Sequence, residues 1–83
     1  NNWNAVITFG TVAGASSYWY QVGNTSGGNN LVNTANQSNT VSTTFNNNTT
    51  YYARYAYANV PVTQLGSAEW SGFSSATPLQ CSN

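Results

Sequence analysis

Residues 50–57, with the sequence TYYARYAY, constrain the fold of this chain more than any other segment. Four tyrosines fall within seven positions and neither glycine nor proline interrupts them, a composition that favours a β-strand. Because successive side chains of a strand point to opposite faces, the segment predicts one dry face and one face that carries the arginine. The predicted dry face consists of Tyr51, Ala53, Tyr55 and Tyr57, and the other of Tyr52, Arg54 and Ala56.

The near absence of charge is the second constraint. The 83 residues predict one small domain, residues 1–83, with one arginine, one glutamate and no lysine, aspartate or histidine. Soluble domains ordinarily contain about 25% charged residues, whereas this chain contains 2%. Because almost nothing titrates between about pH 5 and 9, stability is predicted to vary little across that range. Without a basic patch, or an apolar run of roughly 20 residues, neither nucleic acid binding nor a membrane span is expected.

The side chains that usually perform catalysis are scarce. Glu69 is the sole carboxylate side chain, and Cys81 has no histidine to activate it as a nucleophile. One thiol and one carboxylate do not make an ordinary zinc site, and a calcium contact at Glu69 has no supporting residues. We therefore expect no enzyme activity, no cofactor and no metal. Three interpretations of Cys81 are open: an unreactive free thiol, a disulfide bridge to another chain or segment, or a residue present only because of where the segment was cut.

Turn-rich segments divide the chain into short strands, and no segment shows helical periodicity. The predicted strands are Ala5–Phe9, Tyr18–Val22, a short edge strand at Leu31-Val32, Asn39–Phe45, Thr50–Tyr57 and Trp70–Thr77. Residues 33–38 are predicted to form a polar loop, and Pro78 to close the last strand. Strands of this length, separated by turns, predict a single all-β sandwich with antiparallel strands.

Three motifs in order resemble those of fibronectin type III domains, a class of immunoglobulin-like sandwich. The first is an aromatic residue followed by a Gly-Ala turn and an inward tyrosine, here Phe9, Val12, Gly14, Ala15 and Tyr18. The family usually has tryptophan at the Phe9 position. The second, Phe45 and Tyr51, resembles the tyrosine corner, which implies that the Tyr51 hydroxyl bonds back to upstream backbone. The resemblance implies structural roles for Phe9, Tyr18, Phe45 and Tyr51.

The third motif, Trp70-Ser71-Gly72-Phe73-Ser74, resembles the Trp-Ser signature at the start of the last strand of such domains. It is also similar to the Trp-Ser-x-Trp-Ser box of cytokine receptors, with Phe73 in place of the second tryptophan. A receptor ectodomain module is therefore a further interpretation, weakened by the absence of cysteine pairs. Together the three motifs cover roughly residues 5–77.

The resemblance also implies that the first strand of the family is short or missing, since only Asn1 to Asn4 precede the strand predicted from Ala5. Such an edge leaves a row of backbone donors and acceptors unpaired. Three outcomes are open. The edge is solvated, the missing strand lies on chain that has been removed, or an extended segment of a neighbouring chain completes the sheet.

Two surfaces are candidates for contact with a partner or a sugar. The first is an outward face with Trp19, Tyr52, Arg54 and Trp70. Either Arg54 stacks between Trp70 and another ring, as in cytokine-receptor modules, or the rings form a platform for sugar rings or a partner chain. The second is the apolar tip Val60-Pro61-Val62, which either folds back onto the core or contacts another subunit.

Four asparagines lie in N-x-Ser/Thr acceptor frames for N-glycosylation, and all are predicted to lie in loops: Asn24, Asn36, Asn47 and Asn48. A glycan coat would supply the solvation that charges do not.

The combined features predict a non-enzymatic structural or adhesive module of an extracellular assembly, such as a surface filament, a pilus-like thread or a stalk. Its partners would be like subunits or neighbouring domains of the same polypeptide, at the cell surface. The alternative is a carbohydrate-binding or spacer module of a secreted polysaccharide-degrading enzyme. The two differ in the face of Trp19, Tyr52, Arg54 and Trp70. Coplanar, exposed rings favour sugar binding, whereas stacked rings, together with an edge strand or the Val60-Pro61-Val62 tip docked on a like subunit, favour assembly.

Overall fold

The computed structural model describes residues 2–61, 63 and 70–81. Within these residues the protein is all-β, with six antiparallel strands in two sheets, as the sequence predicts. The strands are β1 (Asn2–Thr8), β2 (Ser17–Gly23), β3 (Val32–Asn36), β4 (Thr40–Asn46), β5 (Thr50–Ala58) and β6 (Thr77–Gln80). β1 and β4 form a two-stranded sheet, and the other four pair in the order β3-β2-β5-β6. No described segment forms a helix long and apolar enough to cross a membrane.

Strands β2 and β5 form the centre of the four-stranded sheet. They pair over seven positions, from Ser17 opposite Ala58 to Gly23 opposite Tyr52. On β2 the inward side chains of Tyr18, Tyr20 and Val22 are all buried, and Gln21 on the opposite face is buried as well. A β-strand flanked on both sides is ordered by backbone pairing as well as by its apolar face, so this pair positions everything that lies on the sheet.

Stacked aromatic rings fill the core between the two sheets. Tyr20 lies 5.0 Å from Phe9 and 6.5 Å from Tyr18, both in nearly parallel stacks. Phe45 stacks on Tyr51 at 4.3 Å. Each such pair stabilises the fold by about 0.5–1.5 kcal/mol beyond its buried area, which compensates a domain with few core residues.

The faces of β5 differ from the prediction at one end. Tyr51 and Ala53 are buried on the predicted dry face, but Tyr57 is 39% exposed. It lines an open groove at the end of the strand instead of the core. On the opposite face Ala56 is fully buried, since it lies directly across from Trp19 in a cluster of rings. The central strand is therefore covered on both faces.

Two polar segments pair as strands where the sequence predicts none. β1 begins at Asn2, three residues before the predicted start at Ala5, and pairs with β4 as far as Asn2 opposite Asn46. β3 spans Val32–Asn36, most of the segment predicted as a polar loop. Backbone groups form a ladder whatever the polarity of the side chains, so a neighbouring strand decides these pairings.

The last strand was predicted at the wrong place. Residues 70–76 form no ladder, and β6 begins only at Thr77. The side chains of Ser71 and Ser74 replace the ladder, since their hydroxyls accept hydrogen bonds from the amides of Tyr57 and Tyr55 at 2.9 and 3.1 Å. Pro78 does not close the strand but lies inside β6, which proline tolerates because β6 is an edge strand.

Candidate functional site

Three rings interlock on the outer face of the four-stranded sheet. Trp19 on β2 meets Phe73 edge to face at 4.9 Å with an interplanar angle of 66°. It also meets Trp70 at 5.7 Å and 63°. The guanidinium carbon of Arg54 lies 4.3 Å from the centre of the Phe73 ring. The predicted stacking of Arg54 therefore occurs on Phe73 and not on Trp70, which packs against Trp19 instead.

Hydrogen bonds to Gln21 and Asn33 fix the positions of Arg54 and Trp19 in this aromatic cluster. The Nε and one terminal nitrogen of Arg54 donate to Oε1 of Gln21 at 2.9 and 2.7 Å. The indole nitrogen of Trp19 and the amide nitrogen of Gln21 both donate to Oδ1 of Asn33, at 2.7 and 3.4 Å. Gln21 is 6% exposed, so the arginine is held by a buried neutral acceptor. An amide oxygen and an aromatic ring therefore stabilise the guanidinium charge, in a chain that has a single carboxylate side chain.

The loop between β2 and β3 approaches the same arginine. A Cβ built on Gly27 would lie 3.6 Å from a terminal nitrogen of Arg54, and the backbone there has φ of 78°. Glycine suits the left-handed backbone angle, whereas the distance to Arg54 is an ordinary van der Waals contact. Arg54 thus lies half-buried between this loop and Phe73. The face is interlocked, and its rings are far from coplanar, unlike a flat sugar platform.

Tyr52, the fourth residue predicted on this face, stands apart from these contacts. It is half-buried and lies opposite Gly23 on one side and Pro78 on the other. The described ring contacts of the cluster do not include it. The structure thus brings together Trp19, Arg54 and Trp70 of the predicted set.

The apolar tip is attached to the body of the domain at its first residue. The carbonyl of Val60 accepts a hydrogen bond of 2.7 Å from the Ser17 hydroxyl, and Ser17 is fully buried. Val60 and Pro61 are half-buried. Val62, the third predicted residue of the tip, lies outside the described residues, as does Glu69.

The free edge of β1 forms a second candidate site. Among the described strands only β4 pairs with β1, so one side of β1 has no neighbour. A groove of about 320 Å³ runs along this side towards β6. Its lining combines Ala5, Ile7, Phe45, Leu79 and Cys81 with Asn4, Val6 and Gln80, and none of these carries a charge. Val6, on the outer face of the small sheet, is 67% exposed.

Core packing is incomplete beside this groove. The inward side chains of β1 (Trp3, Ala5 and Ile7) pack against the core but are only half-buried. Leu79 and Cys81 are also half-buried. In β2, by contrast, every inward side chain is buried. The apolar interior is therefore open on the side between β1 and β6.

A shallow groove of about 470 Å³ lies at the far end of β5. Tyr57 and Trp70 line it together with Ala13, Asn59 and Ser71, among others. Tyr57 was predicted to be in the core, but its ring is exposed to solvent and lines this groove. A ring flanked by amide and hydroxyl groups has the chemistry that binds sugars.

The four predicted glycan acceptors differ in their surroundings. Asn24 is exposed in a loop, and Asn36, predicted in a loop, is instead the last residue of β3. Asn47 is half-buried, and its Oδ1 accepts a hydrogen bond of 3.0 Å from the indole of Trp3. Asn48 is exposed and has φ of 59°, in the left-handed region that asparagine tolerates. Of the overlapping pair, Asn48 is the accessible one.

Three tyrosine hydroxyls in the core have different surroundings. The Tyr51 hydroxyl accepts a hydrogen bond of 3.0 Å from the Asn46 amide, the upstream bond that the resemblance to the tyrosine corner implies. The Tyr18 hydroxyl accepts one of 3.1 Å from the Val12 amide. The Tyr20 hydroxyl is buried without a hydrogen-bond partner among the described residues. Burial, and to a smaller extent the neighbouring Tyr18, raises the pKa of Tyr20 above its usual value.

Comparison of the chain with models of protein families, with curated proteins and with solved structures found no match in any of the three.

Three residues that contact the aromatic cluster or its arginine were not predicted from the sequence: Gln21, Asn33 and Gly27. Gln21 lies on the same face of β2 as Trp19, Asn33 falls in the segment predicted as a polar loop, and Gly27 lies in the loop between β2 and β3. The signal for Gln21 was its position two residues from Trp19 on β2. Asn33 and Gly27 gave no such signal, because their contacts depend on the fold of β3 and its loop.

Proposed function

We propose that this protein is a non-enzymatic structural or adhesive module of an extracellular assembly, in which like subunits or neighbouring domains of one polypeptide form a filament, thread or stalk. The observation that carries the proposal is the uncharged free edge of β1 with its apolar groove. Soluble proteins usually protect such edges with lysine, proline or a bulge. β6 has Pro78, but β1 contains neither a charged residue nor a proline.

The topology that we propose is that of a fibronectin type III-like sandwich without its first strand. The partition of strands into two and four, and the two tyrosine hydroxyls that bind upstream backbone, support it. In such a sandwich the missing strand would lie beside β1. An extended segment from a neighbouring subunit would occupy the same place.

The start of β1 and the residue that follows β6 both lie beside the turn between β4 and β5. Asn2 lies opposite Asn46, and the carbonyl of Cys81 accepts a hydrogen bond of 2.9 Å from the Asn48 amide. Residues of β1 and Cys81 are therefore close together, and both line the groove beside the free edge of β1.

The alternative is a carbohydrate-binding module, and the groove beside Tyr57 and Trp70 favours it. The outer cluster favours it less, because its rings are interlocked at 63° and 66°. A sugar would then stack on Tyr57, with Asn59 and Ser71 as polar contacts.

Electron microscopy of the purified native material tests the proposal. Regular filaments or threads with a repeat close to the long dimension of the module are expected. Dispersed single particles, together with binding to a glycan array that Tyr57→Ala abolishes, would replace assembly by sugar binding. Tyr52→Ala, which changes a tyrosine of the same strand outside that groove, is the matched control.

A further inference from the structure

The groove beside β1 has the backbone groups of an acceptor for one more strand. The Phe9 amide donates to the Asn39 carbonyl at 2.8 Å, in register with the β1–β4 ladder. In an antiparallel pair, bonded and non-bonded positions alternate. The amides and carbonyls of Asn4, Val6 and Thr8 therefore point away from β4, towards the free edge. An extended chain laid along this edge would meet three residues with both donor and acceptor available.

The lining of the groove determines the chemistry of the occupant. Trp3, Ala5 and Ile7 point inward from β1, and Leu79 and Cys81 border the groove on the opposite sheet. None of the residues that line the groove is charged, so a charged side chain placed in it would lose its hydration without gaining a partner. Small apolar side chains at alternate positions would fill the groove, while polar side chains between them face water.

We propose that this groove binds an extended, uncharged segment of a neighbouring subunit as a seventh strand, antiparallel to β1, with small apolar side chains opposite Trp3, Ala5 and Ile7. The inference rests on the proposed function and specifies the site and chemistry of the contact between subunits. An incoming segment of seven residues, with a rise of about 3.3 Å per residue, would pair with the whole length of β1.

A second copy of the small sheet fits this site less well than a single strand. β6 borders the groove, so the incoming strand lies above β6 as well as beside β1. A whole β1–β4 sheet would carry its own four-stranded sheet into the same space. A single extended segment, with no second sheet packed on it, avoids this collision.

Cys81 makes the proposal measurable, because it is the single cysteine of the chain and lines the groove. The probe is the peptide KTVTVTVTK, whose three valines would face Trp3, Ala5 and Ile7. The control peptide KTVPVPVTK has proline at the two positions that pair with Asn4 and Val6. The rate at which a maleimide labels Cys81 is measured with increasing peptide, up to about 1 mM, since one short strand binds with a modest surplus of free energy.

The expected result is slower labelling with the probe peptide and no change with the control peptide. At a concentration tenfold above the dissociation constant, labelling should slow about elevenfold, because only the empty groove reacts. The variant Val6→Pro removes one outward amide and leaves the ladder to β4, so it should lose the protection. Val6→Thr keeps the amide and should retain it. Thermal unfolding shows whether each variant is folded.

Unchanged labelling of the wild-type protein at all concentrations of the probe peptide would overturn the inference, whatever the variants do. Protection that rises with protein concentration in the absence of peptide, with dimers as the largest species in sedimentation, would overturn it in favour of a closed pairing of two β1 edges, because strand donation from one subunit to the next forms longer chains. Protection by the peptide in a protein that forms no filaments would uphold the acceptor groove and refute the proposed assembly. The two proposals therefore fail separately.

Discussion

At the scale of single residues, the tyrosines of the core show how one side chain serves different purposes. Tyr18 and Tyr51 each bury a ring and accept a hydrogen bond from an upstream amide. Tyr20 is fully buried between Phe9 and Tyr18, but its hydroxyl lacks a partner among the described residues. The ring is favourable at all three positions, whereas the hydroxyl is favourable at only two.

Replacement of each tyrosine by phenylalanine separates the two contributions. Tyr18→Phe and Tyr51→Phe leave a backbone amide without its acceptor and should each lower the free energy of unfolding by about 1–2 kcal/mol. Tyr20→Phe removes a buried unpaired hydroxyl and should leave stability unchanged or raise it by up to about 1 kcal/mol. Urea denaturation measures all three. If Tyr20→Phe destabilises as much as Tyr51→Phe, the Tyr20 hydroxyl has a partner after all.

The raised pKa of Tyr20 also predicts a loss of stability in alkali. Below the ordinary tyrosine pKa of about 10, the residue is protonated in both the folded and unfolded states and contributes no pH dependence. Above that pH the unfolded chain releases the proton and the folded chain retains it, so stability falls by at most about 1.4 kcal/mol per pH unit. Denaturation between pH 7 and 11.5 measures the decline, and Tyr20→Phe should make it shallower. A wild-type curve with the same slope as that of Tyr20→Phe would contradict the assignment.

At the scale of elements, the segment 70–76 replaces a strand by side-chain hydrogen bonds. Ser71 and Ser74 accept the amides of Tyr57 and Tyr55, and their own amides donate to the carbonyls of the same two residues. This double contact holds the segment against β5 and places Trp70 and Phe73 over Trp19. The aromatic cluster therefore depends on two serine hydroxyls.

Substitution of these serines tests that dependence. Ser74→Ala should lower the free energy of unfolding by about 1–2 kcal/mol, because the amide of Tyr55 is partly buried and loses its acceptor. Ser71→Ala should cost less, since its bond to Tyr57 is exposed to water. Near-ultraviolet circular dichroism should report a loosened cluster of tryptophans in the first variant. Ser75→Ala, at an exposed position in the same segment, is the control and should behave as wild type. Equal stability of all three variants would mean that the hydroxyls do not hold the segment.

At the scale of the whole molecule, the protein is all-β with two sheets, and it has only two charged side chains. Packed rings and backbone ladders provide the attraction within it, and the same two interactions are available at the edges of its sheets. With a formal net charge of zero, the copies do not repel one another. In the proposed assembly, the shape and backbone pairing of these edges would therefore govern the contact between subunits.

Such a molecule should be indifferent to ionic strength. Between 10 mM and 0.5 M sodium chloride, the melting temperature should change by less than about 2 °C, because screening has few charges to act on. Sodium sulfate should raise it, since exclusion of sulfate from the surface strengthens burial regardless of charge. Differential scanning calorimetry in both salts makes the comparison. A strong dependence of the melting temperature on chloride would contradict this prediction, because it would show that interactions between charges contribute substantially to stability.

The sequence alone predicted the class of the fold, the positions of most strands and the inward rings Tyr18, Tyr20, Phe45 and Tyr51. These follow from alternation and turn composition, which are properties of a segment of about ten residues. It did not predict that Asn2 and Asn33 lie in strands, that Tyr57 is exposed and Ala56 buried, or that Arg54 stacks on Phe73. Those features depend on which segment lies alongside. A backbone amide pairs with whatever acceptor the fold brings within 3 Å or so, whether a strand carbonyl or a serine hydroxyl, and residues far apart in the chain supply it.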